Sequence, residues 1–206
     1  MAYTNVLFDI DNTLVNSAFL IAETLQKSTL KEGIDIPVSR FRSLIGMPGD
    51  EILKRFGVEN WQRVLERYSV DFSKNMYKLS YFTGIKELLE KLIQEKIKIG
   101  VVTSKNKKQF FDETKLFPEI ADLKIITTSD DTEKPKPSGD PLLFTIHHHD
   151  LRKKSTLYVG DSMYDMQAAY EAGIDFAAAS WGALPGTKFE FAKYVLKSPA
   201  DLLTLI

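Results

Sequence analysis

Hydrophobic residues form four short runs along the chain, and polar or small residues follow each run. The runs cover residues 6–10, 97–102, 125–127 and 157–159. Apolar residues that are nearly continuous, rather than alternating, are typical of strands whose two faces are both covered by helices. The pattern therefore predicts four buried parallel strands, and a weaker run at residues 194–195 predicts a short edge strand.

Between these runs the apolar residues recur with the period of a helix. In residues 84–96 one stripe carries the apolar side chains Ile85, Leu88, Leu89, Leu92 and Ile93. Charged residues lie on the opposite side, as in an amphipathic surface helix. Residues 165–172 have the same apolar periodicity, and the pattern at residues 200–206 predicts a closing helix. Because strands and helices alternate from residue 84 onward, we expect an α/β fold with a Rossmann-like, doubly wound parallel sheet.

The segment from residue 16 to residue 81 has a different pattern. Helical periodicity is present at residues 19–30, 50–56 and 61–77, and we find no convincing strand there. We therefore expect an inserted α-helical domain at residues 16–81, joined by two chain crossings to a discontinuous core of residues 1–15 and 82–206.

Composition narrows the possible classes of protein. The 206 residues are 44% hydrophobic and 27% charged, which is ordinary for a globular protein, and the net charge of −1 gives no general attraction to nucleic acid or anionic membranes. The chain has no cysteine, and no apolar run approaches the ~20 residues of a membrane span. We expect a cytoplasmic protein with neither a nucleic-acid nor a membrane partner.

Polar residues that could act in catalysis or bind a metal follow the predicted strands. Ligands of open parallel sheets bind at the carboxyl ends of the strands, so these residues are the candidates for a site. They are Asp9 and Asp11 after the first run, Thr103 and Ser104 after the second, and Asp161 and Asp165 after the fourth. Four carboxylates at one edge need a compensating cation, and a hard, oxygen-rich site suits Mg²⁺.

Four motifs carry a resemblance to a known family. The segment Asp9-Ile10-Asp11-Asn12-Thr13 resembles the Asp-x-Asp-x-Thr signature of haloacid dehalogenase-like phosphatases. Thr103 resembles the family's second motif, Lys136 before Pro137 resembles the third, and residues 160–165 resemble the fourth. The motifs occur in the same order along the chain. The insertion at residues 16–81 is similar to the family's helical cap. The resemblance is closest to the branch of phosphoglycolate phosphatases and pyrophosphatases.

The resemblance implies a role for each matching residue. Asp9 would attack phosphorus and become an aspartyl phosphate, and Asp11 would act as general acid and base. Thr103, Ser104 and Lys136 would bind the substrate, with Thr103 contacting the phosphoryl oxygens and Lys136 offsetting their charge and steadying Asp9.

The resemblance also implies a ligand set for magnesium. The ion would be held by the carboxylates of Asp9 and Asp161 and by the backbone carbonyl of Asp11. Asp165 would bind it directly or through a water molecule.

Some assignments stay open from the sequence. Lys134 also precedes a proline and is an alternative to Lys136. In the inserted segment, Arg40, Arg42 and the loop at residues 46–49 are candidates to meet the leaving group of a substrate. The run at residues 147–149 is three consecutive histidines, which face different directions on a helix and make a poor metal chelate.

The resemblance predicts a magnesium-dependent phosphatase that acts on a small phosphorylated metabolite, as a monomer or a homodimer. A phosphosugar mutase similar to β-phosphoglucomutase is the alternative enzyme, and it would yield an isomer with little free phosphate. The alternative without catalysis is a binding module that kept the fold. That reading is disfavoured because Asp9, Asp11 and Asp161 are all present.

Overall fold

The computed structural model describes residues 3–206 of the chain, and in this part six parallel strands form one sheet. The order across the sheet is β3-β2-β1-β4-β5-β6. The strands are β1 (Asn5–Phe8), β2 (Lys98–Val102), β3 (Ile125–Thr127), β4 (Thr156–Gly160), β5 (Asp175–Ala179) and β6 (Tyr194–Leu196). This is the Rossmann-like α/β fold that the apolar runs predict.

Nine α-helices accompany the sheet within the described residues. They are α1 (Ala18–Leu30), α2 (Val38–Arg42), α3 (Gly49–Arg55), α4 (Trp61–Asn75), α5 (Ile85–Gln94), α6 (Lys107–Thr114), α7 (Pro118–Ala121), α8 (Asp140–His148) and α9 (Met163–Ala172). Short 3-10 helices cover Met76–Lys78, Ser129–Asp131, Lys153–Ser155 and Pro199–Thr204.

Strand β1 is the centre of the sheet and is fully buried. Val6 pairs with Ile99 of β2 on one side and with Leu157 of β4 on the other. The chain builds the sheet outward to β3 and then returns to place β4 beside β1. Such a reversal opens a crevice at the carboxyl ends of the strands, which is where open α/β sheets bind ligands.

Successive residues of β1 supply two different hydrophobic cores. Val6 and Phe8 pack into a cluster that contains residues of α5, whereas Leu7 packs into a second cluster with residues of α8 and α9. The alternation follows from the two-residue period of a strand. Because helices cover both faces, the strand reads as a continuous apolar run.

The structure adds elements that the sequence pattern does not predict. Strand β5 and helices α2, α6 and α7 were all missed. Much of β5 is alanine, which is depleted in strands, and α6 is largely polar, so neither gives a clear periodic signal. The predicted closing helix is present as a 3-10 helix at Pro199–Thr204.

Helices α1 to α4 all lie in the segment of residues 16–81, hereafter the helical segment. Its two connections to the sheet run side by side: the Asn16 amide donates to the Ser80 carbonyl at 2.9 Å, and the Phe82 amide donates to the Leu14 carbonyl at 3.1 Å. Apolar residues of the helical segment belong to the same buried cluster as Val6 and Phe8. This continuity fixes the segment over the carboxyl ends of the strands.

None of the helices in residues 3–206 is both long enough and apolar enough to cross a membrane.

One side chain of the predicted apolar stripe on α5 does not belong to the core. Leu92 is fully buried, but Ile93 is 58% exposed. Each residue turns an α-helix by roughly 100°, so Ile93 lies at the edge of the stripe, in the last turn of the helix. The assignment of Ile93 to the buried stripe was therefore wrong.

These neighbouring residues provide a matched test of the packing. Leu92→Ala removes a fully buried side chain, and we expect it to lower the free energy of unfolding by about 2–5 kcal/mol. Ile93→Ala should cost much less because its side chain is mostly in water. Urea denaturation of the two variants measures the difference, and equal losses would contradict this packing of α5.

Candidate active site

The segment after β1 places Asp9 at the centre of the sheet edge. The Asp9 amide donates to the Val159 carbonyl at 2.9 Å, so the strand ladder extends one residue beyond β1. The chain then turns, and the amides of Leu14 and Val15 both donate to the Ile10 carbonyl at 3.0 Å. The turn keeps Asp9 and Asp11 beside the crevice.

Asn12 locks this turn against the loop after β5. Its φ of 60° is in the left-handed region, which Gly and Asn adopt more readily than other residues. Its side chain donates to the Gly182 carbonyl at 2.6 Å and accepts from the Ala18 amide at 3.2 Å. A Cβ on Gly182 would lie 1.6 Å from the Asn12 carbonyl oxygen, so only glycine fits there. The neighbouring Trp181 indole donates to the Thr13 carbonyl at 2.9 Å.

The loop after β4 places Asp161 and Asp165. Ser162 caps α9, and Asp165 completes a capping box by accepting from the Ser162 amide. A Cβ on Gly160 would lie 2.5 Å from the Cβ of Asp165. Glycine at the strand end therefore allows the Asp165 carboxylate to reach the interior, where it is fully buried.

Lys136 is the cation of this site. Its buried Nζ lies 2.6 Å from Asp9 Oδ1 and 2.7 Å from Asp165 Oδ1, and it donates to the Tyr158 hydroxyl at 3.0 Å. Burial acts to lower the pKa of Lys136, but the carboxylates of Asp165 and Asp9 outweigh it and raise that pKa well above its usual value. Lys134 is exposed at the surface. Of the two lysines, the structure thus brings Lys136 to the predicted site.

Asp9, Asp161 and Asp165 form a compact oxygen cluster. One carboxylate oxygen from each lies within 4.8 Å of the others. Burial raises the pKa of Asp9 to about 7, against the attraction of Lys136 and with the help of Asp165 and Asp11. Burial also raises the pKa of Asp161 well above its usual value.

This donor set fits a hard divalent cation. Asp9 Oδ2 is buried and has no hydrogen-bond partner, which is costly for a carboxylate unless a cation compensates it. Asp165 is less available, because Lys136, Tyr158 and Ser162 already donate to its two oxygens. The Asp11 side chain is outside the cluster, and the predicted ligand set uses its backbone carbonyl.

The Asp11 carboxylate has its own partners. Its Oδ1 accepts from the Ser17 hydroxyl at 2.6 Å and lies 2.8 Å from Lys105 Nζ. Lys105 also lies 2.9 Å from Glu113 Oε2. Burial acts to lower the pKa of Lys105, but Asp11 and Glu113 outweigh it and raise that pKa above its usual value.

A central cavity of about 60 Å³ lies between the sheet edge and the helical segment. Its lining is Asp9, Asp11, Ile21, Leu25, Ile45, Gly46, Met47, Gly49, Ile52, Leu65, Tyr68, Ser104, Lys105 and Gln109. Ser104 joins its two sides by donating to the Gly46 carbonyl at 2.6 Å. Thr103 is buried beside it, with its amide bonded to the Thr127 carbonyl and its hydroxyl accepting from the Lys105 amide.

The two candidate arginines of the helical segment lie in different places. Arg40 is exposed, and its guanidinium stacks over the Phe56 ring at 4.9 Å. Arg42 lines a second cavity of about 450 Å³, which also contacts Asp161 and Ser162. Its Nε is buried without a partner. The structure therefore brings Arg42 to the crevice and places Arg40 away from it.

Lys105, Glu113 and Tyr158 were missed by the sequence analysis. Lys105 and Tyr158 each carry a weak signal, since Lys105 is two residues past Thr103 and Tyr158 is the polar member of an apolar run. Glu113 lies in a polar helix, and nothing in its sequence neighbours marks it as buried.

The two lysines near Pro137 offer a test of the buried pairing. Lys136→Met would leave Asp9 and Asp165 buried without their cation, and we expect a loss of about 3–5 kcal/mol in the free energy of unfolding. Lys134→Met, at an exposed position, should change it by less than about 0.5 kcal/mol. Denaturation at neutral pH without metal measures both, and similar values would contradict the placement of Lys136.

The raised pKa of Asp9 predicts a pH dependence of the metal-free fold. Between the unfolded value of 3.8 and the folded value of about 7, the folded chain retains a proton that the unfolded chain has lost. Stability must therefore fall as pH rises through this window, and this loss is complete above it. We expect Asp9→Asn to gain a few kcal/mol over the parent at pH 8 and little at pH 4, since one pKa unit is about 1.4 kcal/mol.

Urea denaturation in chelator across this pH range measures the effect. Asp161 titrates in the same direction, so some decline should persist in the variant. Parallel stability curves for the two proteins would contradict a raised pKa of Asp9.

Comparison with known proteins places the chain in a family. A family model described as "Haloacid dehalogenase-like hydrolase" matches residues 6–179. The "Putative pyrophosphatase PpaX" of Caldanaerobacter subterraneus is 31% identical, over 100% of this chain and 96% of that protein. A phosphoglycolate phosphatase of Pectobacterium atrosepticum is 30% identical, over 100% of this chain and 93% of that protein.

A solved structure has the same fold. The crystal structure of a "putative phosphoglycolate phosphatase" from Lactobacillus plantarum superposes with a TM-score of 0.91, covers both chains completely and is 24% identical. The resemblance inferred from the four motifs is confirmed by the family match, which spans most of the chain. This chain belongs to the haloacid dehalogenase-like hydrolase family.

Proposed function

We propose that the protein is a magnesium-dependent phosphatase that hydrolyses a small phosphorylated metabolite through an aspartyl phosphate on Asp9. The main support for the proposal is the unequal environment of the two Asp9 carboxylate oxygens. One oxygen is held by Lys136 at 2.6 Å, while the other is buried and has no partner. Relatives named as phosphoglycolate phosphatases and pyrophosphatases support the reaction class.

Asp9 is the nucleophile in this proposal. A carboxylate must be ionised to attack phosphorus, and Lys136 favours the ionised form by charge and hydrogen bonding. Attack forms a bond from a carboxylate oxygen to phosphorus and breaks the bond from phosphorus to the leaving oxygen. Water then cleaves the aspartyl phosphate, which releases inorganic phosphate and restores Asp9.

Asp11 is the general acid and base. It lines the central cavity with Asp9, and Ser17 and Lys105 fix its carboxyl group. In the first half-reaction it gives a proton to the leaving oxygen, and in the second it takes one from the attacking water. Its separate partners keep it from competing with Asp9 for Lys136.

The phosphoryl group meets positive charge and hydrogen-bond donors at the sheet edge. Lys136 offsets its charge, and we assign Thr103 and Ser104 as donors to its oxygens. The Ser104 hydroxyl now donates to the Gly46 carbonyl, so binding a phosphoryl oxygen would require it to rotate.

Mg²⁺, when bound, would neutralise phosphate charge at this site. Asp9 and Asp161 would hold it with the Asp11 carbonyl, and Asp165 would orient Lys136 and the helix that follows Asp161. The cluster's oxygen-only chemistry fits magnesium better than a soft metal.

Residues 16–81 serve as the cap in this proposal, and residues 1–15 and 82–206 serve as the core. The cap and core enclose the central cavity of about 60 Å³, compared with roughly 10–15 Å³ needed for one water molecule. In this closed arrangement only a small leaving group fits. Arg42, at the edge of the second cavity, is a candidate to attract the anionic substrate on entry.

Phosphate release tests the proposal. With Mg²⁺ present we expect turnover of at least one member of a panel of phosphoglycolate, pyrophosphate, sugar phosphates and p-nitrophenyl phosphate. Asp9→Asn removes the nucleophile and should lower kcat by about 10⁴-fold or more, and a chelator should also abolish turnover. Asp35→Asn is the matched control, because Asp35 is exposed and should leave kcat unchanged.

Two further measurements make the test specific. Mass spectrometry after a rapid acid quench should detect phosphorylated protein in the parent but not in Asp9→Asn. This result would identify the aspartyl phosphate on Asp9. Product analysis separates hydrolysis from isomerisation, since a mutase would return an isomer with little phosphate. Turnover that survives Asp9→Asn would refute the mechanism.

A further inference from the structure

Tyr158 is a buried tyrosine in the middle of β4, between the apolar residues Leu157 and Val159. It is fully buried, lies beside Leu7 of β1 in the sheet, and belongs to the same hydrophobic cluster as Phe176. A phenylalanine ring would fill the same space, whereas a hydroxyl group placed there is unfavourable unless it is hydrogen-bonded. The reason for a tyrosine at this position therefore lies in the partners of its hydroxyl.

The Tyr158 hydroxyl lies beside the ammonium group of Lys136. It accepts from Lys136 Nζ at 3.0 Å. Its own proton has two acceptors within reach, Asp165 Oδ1 at 2.9 Å and the Val102 carbonyl at 3.1 Å. The hydroxyl thus connects Lys136 with the end of β2 and with the first turn of α9.

This hydroxyl completes the set of acceptors around Lys136. An ammonium group has three N–H donors. Two of them meet Asp9 Oδ1 at 2.6 Å and Asp165 Oδ1 at 2.7 Å, and the Tyr158 oxygen is the third acceptor. The Val102 carbonyl, 3.4 Å from Nζ, is a poorer alternative. With three donors engaged, the ammonium group has one favoured orientation, in which a proton points at Asp9.

A neutral acceptor suits this position. Another carboxylate beside Lys136 would share its positive charge and add a negative charge to the cluster of three carboxylates. The Tyr158 hydroxyl holds the ammonium group by hydrogen bonding and leaves its charge for Asp9 and a phosphoryl group. Its position is also rigid, because Tyr158 belongs to a strand that pairs directly with β1.

We propose that Tyr158 is a positioning residue that holds the Lys136 ammonium group against Asp9, so that the nucleophile is aligned for attack on phosphorus. This inference rests on the proposed function and adds a residue to the same site. Tyr158 acts through Lys136, since it lines neither the central cavity nor the second cavity. It adds no chemical step to the reaction already described and affects the geometry in which that reaction starts.

Removing the hydroxyl alone tests the proposal. Tyr158→Phe keeps the buried ring, whose centroid lies 5.7 Å from Lys136 Nζ, and leaves the third donor of Lys136 without its acceptor. With Mg²⁺ and a substrate that the parent hydrolyses, we expect kcat to fall about tenfold or more. KM should change by less than about twofold, because Lys136 keeps its charge for binding while the alignment of Asp9 matters in the chemical step.

Tyr3→Phe is the matched control. Tyr3 is also buried, and its hydroxyl donates to Asp175 Oδ2 at 2.6 Å. Asp175 begins β5, so this bond lies at the opposite edge of the parallel sheet from Asp9. The variant should lower the free energy of unfolding and leave kcat unchanged. If Tyr158 had a purely structural role, Tyr158→Phe would behave in the same way, and that result overturns the inference.

The ammonium group of Lys136 gives a readout that does not depend on turnover. Its side chain is 1% exposed, so its protons are shielded from exchange with water and can be followed by ¹H–¹⁵N NMR. We expect a cross-peak between these protons and the Tyr158 ring in the parent. In Tyr158→Phe the Nζ resonance should shift and its protons should exchange faster, whereas Tyr3→Phe should leave both unchanged.

The two readouts separate failure of this inference from failure of the proposed function. If the parent hydrolyses no compound of the panel, the proposed reaction is wrong, but a changed Lys136 resonance in Tyr158→Phe still supports the contact. If the parent is active, an unchanged kcat or an unchanged Lys136 resonance in that variant overturns the inference and leaves the reaction in place. The cross-peak in the parent needs no variant, so its absence overturns the inference even where Tyr158→Phe does not fold.

Discussion

One carboxylate oxygen from each of Asp9, Asp161 and Asp165 lies within 4.8 Å of the others at the edge of the sheet, where burial weakens screening by water. Lys136 offsets the repulsion between these carboxylates, because its ammonium group pairs with both Asp9 and Asp165. The rest of the site depends on that pairing. If Lys136 were displaced, the carboxylates would have to take up protons or separate, and Asp9 could no longer be both ionised and fixed in position.

The two acidic residues of the first motif, Asp9 and Asp11, form ion pairs with different lysines. Asp9 pairs with Lys136, which comes from the segment after β3, and Asp11 pairs with Lys105, which comes directly after β2. Their separation by one residue puts both at the same crevice, while the separate lysines allow them different protonation states. One carboxylate can then stay ionised as a nucleophile while its neighbour exchanges a proton, which is the requirement of the proposed reaction.

Much of this arrangement could be predicted from the sequence because it follows from local patterns. Strands such as β1 and β4 are continuous apolar runs, and parallel strands must present the residues after them at one edge, which locates Asp9 and Asp161. Pairing across the fold leaves no such pattern. Glu113 is a charged residue in a polar helix, and its pairing with Lys105, which lies in a different segment of the chain, becomes visible only in the folded structure.

Charge balance also links metal binding to phosphate binding. The four carboxylate partners of the two lysines and Asp161 together make five carboxylates that face two ammonium groups across the crevice. A phosphate ester adds further negative charge to this region. Burial raises the pKa of Asp9 to about 7 and raises the pKa of Asp161 and Glu113 above their usual values, so the metal-free site disfavours a full set of ionised carboxylates. A divalent cation that keeps Asp9 ionised would therefore prepare the nucleophile and reduce the repulsion that meets the substrate, so the two ligands should bind cooperatively.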